Sequence, residues 1–432
     1  MAATIMVKVE VKFDGTNFND ITQYVEQVQL TYGRSALLQD FSAGGASLFV
    51  DNRGGEFTPG HSDASYGNSQ LINREVRISS EVVGGSDAWA TYLFRGFITD
   101  VNYSAGFQTS QVQFVISDGF DRLATASIFD ETFAEAFTGV RVAEILDLTS
   151  VDYPDESSPL DRDIDLGVAN CLAASGVTAT ALDYLQQLTR TENGRLLCNH
   201  AGTPSATNFG NVLSFYARNA STDDHGIIIS DSVTLSTGSA EAASLDLEWG
   251  SELLFNSYEF TPATGAVQTG TEAASIAKYG ERVIKRTLLS DTTYSEEAGD
   301  YFINLFDEPA LRVSRVMVDI DSATTATAER LLHLHVNSAL QLSYLPPGSS
   351  TTISGAYVVE GVTLDITPRD MATNAASIKA IYSTSAADQT GYWVLGDAVL
   401  STLPTILAPS WIDTSSFRLD DPDRGVFPVR VG

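Results

Sequence analysis

The chain has 432 residues, with 25 lysines and arginines against 55 aspartates and glutamates, a formal net charge of −30. A surface that acidic repels phosphate backbones, since duplex affinity rests on basic side chains displacing counterions, so high-affinity DNA binding is excluded while passage of nucleic acid along the surface is not. At 43% hydrophobic and 19% charged residues the chain buries cores and is not disordered, and its two cysteines, Cys171 and Cys198, exclude a disulfide scaffold.

Residues 1–120 read as β throughout. The opening MAATIMVKVEVKF has no basic segment followed by a long apolar one, which predicts no secretory leader. Strands are predicted by period-two alternation at Met6–Phe13, Tyr24–Tyr32, Ala46–Asp51, Glu75–Val83, Trp89–Val101 and Ser110–Ser117, separated by the turn signals Asp14-Gly15, Asn52-Arg53-Gly54-Gly55 and Gly84-Gly85. Six strands without an intervening helix imply a barrel or sandwich. A short helix is predicted from Asp118-Gly119-Phe120. Thr138–Thr149 then gathers Val142, Ile145 and Leu146 on one face, and Thr180–Thr191 opens on a capping-box-like Thr180 and Asp183. Strands at Gly194–Asn199 and Val212–Arg218 form a hairpin, with Cys198 a buried free thiol. From Leu245 strands return at Leu245–Trp249, Leu254–Thr261, Ser275–Lys285, Leu311–Ile320, Thr351–Thr367 and Ile378–Ser383. They are interrupted by a helix capped at Thr293 and Glu296 and by another at Thr325–Val336. The stretch from Ala386, with Tyr392-Trp393-Val394-Leu395 and then prolines and acids, reads as an arm laid on a partner. No run approaches the ~20 apolar residues of a membrane helix, which predicts no membrane span and a protein made in a cytoplasm.

The expected fold is therefore mainly β with an α+β middle: a first β-barrel-like domain at 1–120, an α+β domain at 121–245, a second β-barrel-like domain with inserted helices at 246–385, and a C-terminal extension at 386–432.

Chemistry is scarce. His333 and His335 sit two apart, ~200° around a helix, off a common ligand face, and Glu329 with His333 lacks a third ligand. The other histidines, His61, His200 and His225, join no motif. Asp161, Asp163 and Asp165 alternate in DRDID without the central glycine and closing glutamate of a calcium loop, so a solvated turn into a strand is expected. Asp319 and Asp321 read the same way. No Gly-x-Ser-x-Gly, His-Glu-x-x-His or lysine-bearing phosphate loop occurs. Carboxylate pairs are too common in so acidic a chain to single out a glycosidase pair. The expectation is a protein that is not an enzyme, with no catalytic residue, cofactor or metal.

One corner stands out. The alternating strand to Val50 runs into Asp51-Asn52-Arg53-Gly54-Gly55, and these residues belong to an ordered series: Asp20-Ile21-Thr22-Gln23-Tyr24-Val25; Tyr32-Gly33-Arg34; Phe41-Ser42-Ala43-Gly44 through Leu48, Val50-Asp51-Asn52-Arg53, Gly55, Phe57 and Pro59; Tyr66-Gly67-Asn68; Arg74-Glu75-Val76-Arg77-Ile78; Leu93-Phe94-Arg95-Gly96-Phe97-Ile98; and Asp118-Gly119-Phe120 with Leu123. Arg162-Asp163-Ile164-Asp165-x-Gly167, Ala274-Ser275-Ile276-Ala277-Lys278-Tyr279-Gly280-x-Arg282, Val359-Glu360-Gly361 and Asp365-Ile366-Thr367-Pro368 continue it. Over roughly residues 20 to 385 the series resembles minor tail proteins of siphovirus-type, long-tailed phages, which are similar to the baseplate hub of contractile phages. The chain departs from the pattern at Ile72-Asn73, where Pro-Gly is usual.

The resemblance implies a structural virion protein at the tail tip: a homotrimeric hub beneath a ring of distal tail protein, near the tape measure protein, carrying central fibre or receptor-binding proteins below and lining a channel through which DNA passes. It brings no catalytic residue. Asp51, Asn52 and Arg53 then become a rigid strand-end corner, with Arg53 either solvated or reaching a carboxylate of the next subunit. Two rivals stay open: the distal tail ring protein, a hexamer whose shorter relatives carry one barrel, and a carbohydrate-binding or cell-wall-degrading tip protein.

Overall fold

A computed structural model describes the chain except residues 1, 62–63, 68–70, 86–90, 106–109, 155–159, 201–210, 219, 221, 232–238, 310–311, 346–351, 371–372 and 388–432. Of the predicted arm, Ala386 ends a strand and the Ala387 N–H donates to Ala356 O, while 388–432, with Tyr392 to Leu395, lie outside the described residues, as do Trp89, Leu311 and Thr351 at predicted strand starts and Asn68 of the motif series.

The fold is mainly β. The first stretch comprises β1 (Ile5–Val11), β2 (Asn19–Asp20), β3 (Val25–Gly33), β4 (Ser42–Asp51), β5 (Glu75–Val82), β6 (Thr91–Ala105) and β7 (Ser110–Ser117). Alternation is what makes these strands: in β4 Gly44, Ala46, Leu48 and Val50 turn inward while Ser47, Phe49 and Asp51 stay partly exposed. The middle holds α1 (Phe120–Thr125), β8 (Ser127–Phe133), β9 (Ala136–Phe137), α2 (Thr138–Leu146), β10 (Asp161–Ile164), β11 (Asn170–Cys171), β12 (Ala174–Thr180), α3 (Ala181–Glu192), β13 (Arg195–Asn199) and β14 (Val212–Tyr216). Thr180 caps α3 as predicted, its hydroxyl accepting from the Asp183 N–H at 3.1 Å, and β13 and β14 form the predicted hairpin. The remainder is β15 (Asp223–Ser230), β16 (Ser239–Glu241), β17 (Ser244–Glu248), β18 (Ser257–Thr261), β19 (Gln268–Thr271), α4 (Ala273–Tyr279), β20 (Val283–Thr287), α5 (Thr292–Phe306), β21 (Arg312–Asp319), α6 (Thr325–Leu332), β22 (Ser338–Tyr344), β23 (Ile353–Asp370) and β24 (Ala375–Ala386).

Strands from the first and last stretches hydrogen-bond into one 14-stranded sheet rather than separate ones. Its centre is the long hairpin β23–β24, paired from Tyr357↔Ala386 to Asp370↔Ala375. Each long strand has an outer edge shared by two partners. On β23, Ile353–Val358 pair with β22 and Gly361–Ile366 with β3. On β24, Ala375 and Ala376 pair with β1, and Lys379–Ser383 with β21.

Two ladder paths consequently return to the hairpin. One runs β23, β3, β4, β7, β6, β5, β1, β24. The other runs β23, β22, β15, then the segment 239–248, then β21 and β24. That segment lies on β15 through β16 and on β21 through β17, with the Ala242 N–H donating to Ser230 O and the Ala243 N–H to Met317 O, both at 2.8 Å. The first path is paired strand to strand all the way round, whereas in the second β16 and β17 each have one partner strand and the chain itself joins them.

A principal core runs through the large sheet and the middle helices. A second core forms around α5 and the three-stranded sheet β19–β18–β20, from Tyr258, Phe260, Leu288, Tyr294, Tyr301, Phe302 and Phe306.

Three predicted elements are corrected. Ser275–Lys285 is not one strand: the alanine-rich 273–279 coils into α4, whose N-terminal Glu272 side chain accepts from the Ala274 N–H at 3.1 Å, and only Val283 onward pairs with β18. The helix of Thr293 and Glu296 is capped earlier, by Asp291 Oδ1 accepting from the Tyr294 N–H at 2.8 Å. The helix predicted to Val336 ends at Leu332, leaving His333 as its C-terminal cap and His335 beyond it.

Candidate functional site

The corner picked out by sequence is a stapled turn at the end of β4. Asn52 is buried, and its side chain does the work: Oδ1 accepts from the Phe57 N–H and Nδ2 donates to Thr58 Oγ1, each at 2.9 Å, while its backbone N–H donates to Ser110 O. The left-handed residue is Gly55, at φ 79°, rather than Asn52. Phe57, held by this staple, is fully buried among Phe13, Tyr24, Tyr66 and Phe114. Arg53 points outward and forks back on Asp51, with Nε 2.9 and 2.8 Å from its two oxygens. That pairing, ahead of burial, holds the Asp51 carboxyl below its ordinary value. Asp51 and Arg53 thus form an exposed ion pair beside a rigid turn.

Some of the other motif residues meet at strand junctions. Gly33 of β3 pairs with Gly361 of β23, beside the point where β23 passes from β22 to β3. Gly33 has φ 94°, and a Cβ there would lie 2.6 Å from Gly361 Cα; one on Gly361 would lie 2.5 Å from Arg34 O. The two backbones cross in contact, which only glycine permits.

Next to this crossing Glu360 is buried to 1% exposure. Arg34 Nε donates to its Oε2 at 2.7 Å, Ser385 Oγ to its Oε1 at 2.6 Å, and Arg195 Nη2 lies 3.5 Å from Oε1. Burial pushes this carboxyl up, but the guanidiniums of Arg34 and Arg195 outweigh it and hold it below its ordinary 4.5. One carboxylate thereby ties β3, the β23–β24 hairpin and β13 of the middle region. Sequence reading missed its role, although a lone acid between Val359 and Gly361 inside an apolar strand was the available signal.

A comparable knot joins the first stretch to the middle. Asp118 accepts from the Gly44 N–H at 2.8 Å and the Phe120 N–H at 2.9 Å, with buried His200 Nε2 3.3 Å away and stacked on Phe94. Arg95 and Glu75, both buried, pair through Nε–Oε1 at 2.7 Å, and Lys12 reaches the other Glu75 oxygen at 3.0 Å.

The remaining candidates sit apart. Asp161 and Asp163 lie on β10, and Asp165 Oδ2 accepts from the Ala217 N–H at 2.9 Å. His335 Nε2 lies 2.9 Å from Asp223 Oδ2, and His333 Nε2 lies 3.2 Å from Thr91 Oγ1. Among the described residues no group of three or more histidine, cysteine or acidic side chains is placed to hold a metal, and no helix is long and apolar enough to cross a membrane. Cys171 and Cys198 are buried and free; burial lifts the Cys171 thiol to about 12 and Cys198 well above its ordinary value.

Neither a protein-family model nor a curated protein matches the sequence. Among solved structures the chain is similar to the tail protein from Neisseria meningitidis MC58, at TM-score 0.54 and 9% identity over 92% of this chain and 98% of that one. It is also similar to the 43 kDa tail protein of prophage MuSo2 from Shewanella oneidensis, at TM-score 0.54 and 12% identity over 89% of this chain and 99% of that one. Identities this low speak for fold alone, yet they span nearly the whole of all three chains. The ordered motifs and the architecture therefore agree, and the chain has the fold of phage tail proteins.

Proposed function

We propose that the chain is a structural subunit of the tail tip of a long-tailed phage, a hub whose two strand rings are barrel-like modules that tile around the tail axis. The observation that carries this reading is the pair of ladder paths closed on one shared hairpin within a single chain. Two similar modules per subunit let a homotrimer offer six comparable surfaces to a sixfold tube, which resolves a symmetry mismatch. A distal ring protein needs one module per subunit, so the second closed path speaks for the hub.

The side chains at the motif positions support a building role. Glu360, Asp118, Glu75 and Asn52 are all spent on holding strands to one another. The net charge of −30 suits a channel wall that DNA passes without electrostatic arrest. In this reading the partners are other copies of the chain, a distal tail ring, the tape measure protein, and fibre or receptor-binding proteins below, and the protein is not an enzyme. Antibodies raised against the chain and viewed on assembled tails by electron microscopy test the placement. Label at the tip is the expected result, and label along the tube body overturns it.

A further inference from the structure

Basic residues are rare in this chain, 25 against 55 acids, yet five arginines converge on one small cavity. Arg34 follows β3, Arg190 lies on α3, Arg195 on β13, Arg218 just after β14, and Arg286 on β20. The cavity lies where the first stretch, the middle helices and the second core meet, with Phe302 of α5 forming part of its wall. Its volume is about 50 Å³. A water site takes ~10–15 Å³ on the same measure, so the space matches about four oxygens.

Anions do not balance these cations. Arg34 and Arg195 share Glu360, Arg190 pairs with Asp40, and Arg218 lies 3.8 Å from Glu192. Arg286 has no carboxylate within ion-pair distance among the described residues; its guanidinium lies over the Phe302 ring at 4.2 Å and reaches Asn193 Oδ1 at 3.5 Å. The buried Nε of Arg195 has no hydrogen-bond partner among them. In the ion pairs of the described residues three carboxylates face these five guanidiniums in a partly desolvated space. Burial first, then the like charges of Arg34 and Arg190, pull the Arg286 guanidinium down to about 10, the mark of a cation short of counter-charge.

We propose that this cavity is an anion-binding site that takes one small tetrahedral oxyanion, inorganic phosphate or sulfate, held by Arg286 and Arg195 and clamping the three parts of the subunit together. Planar guanidinium forks suit such oxygens, and several forks from different elements make an anion a cross-link.

The test is calorimetric titration of the purified chain with sodium phosphate, sodium sulfate and sodium acetate at constant ionic strength in chloride buffer, with parallel thermal melts. The expected result is one phosphate or sulfate per chain and a rise in melting temperature that chloride does not give. In Arg286→Met the affinity falls ~10-fold or more, the loss of a charge-assisted contact, while the anion-free melting temperature rises because like-charge repulsion is relieved. A merely structural Arg286 would instead lower it. Heats and melts indistinguishable from chloride, equal binding of acetate, or an undiminished phosphate response in Arg286→Met overturns the proposal. Should that variant not fold, Arg190→Gln, on the more exposed side, decides the matter in the same way: a weakened response supports the site and an unchanged one overturns it.

Discussion

At the scale of single residues, burial separates side chains that hold the fold from those free to meet a partner. Asn52 and Arg53 are neighbours with opposite fates. Asn52→Ala strands the buried Phe57 N–H and should cost ~1–3 kcal/mol in urea unfolding. Arg53→Ala should leave the unfolding midpoint unchanged, since its pairing with Asp51 is exposed. If the corner meets a neighbouring subunit, Arg53→Asp should weaken assembly without weakening the fold. Glu360 makes a pH-dependent prediction. Its carboxyl is held below its ordinary 4.5, so the stability it contributes is fully present above that pH and is lost as pH falls through its folded value. Glu360→Gln leaves Arg34 and Arg195 facing each other and should cost ~3–5 kcal/mol at pH 7. The gap between wild type and variant should narrow below pH ~4.5 in denaturant titrations; a constant gap would show that the carboxylate's charge is not what matters.

At the scale of elements, most strands of the first stretch were legible because alternation writes the buried face directly, as in Ala46, Leu48 and Val50. The α3 cap was legible because Thr180 and Asp183 are local. What stayed hidden is non-local. Residues 273–285 carry both apolar alternation and strong helix formers, and the choice fell to α4 because β18 offers pairing only from Val283. The α5 cap was misplaced because Thr293 with Glu296 matches the capping-box spacing, while Asp291, the residue that caps, has Tyr294 at that position. The outer pairing of β23 and β24 was invisible, since nothing in one strand states its partner. Of the candidate corner, residue identities were readable and the Asn52 side-chain bonds to Phe57 and Thr58 are local, but its backbone bond to Ser110 and the Glu360 cluster depend on chain segments far apart in sequence. The crossing of β3 and β23 offers the sharpest element-scale test. Gly33→Ala meets backbone at a positive φ and should destabilise by ~3 kcal/mol or more. Gly45→Ala on β4, whose Cβ would lie 3.6 Å from Ile116 O, should be close to neutral. Equal effects would mean the crossing is not tight.

At the scale of the whole molecule, one long hairpin serves two closed strand paths, and a third unit with its own core is inserted before β21. Buried ion clusters lie at the seams between these parts. In the proposed reading subunits associate in threes, each contributing two modules to a six-part ring. A reconstruction of the assembled tail tip by electron microscopy tests this most directly. The account predicts three copies of the 46.3 kDa chain beneath the end of the tube, with six barrel-like densities around the axis; six copies contributing one module each, or a chain placed in the tube wall, would contradict it.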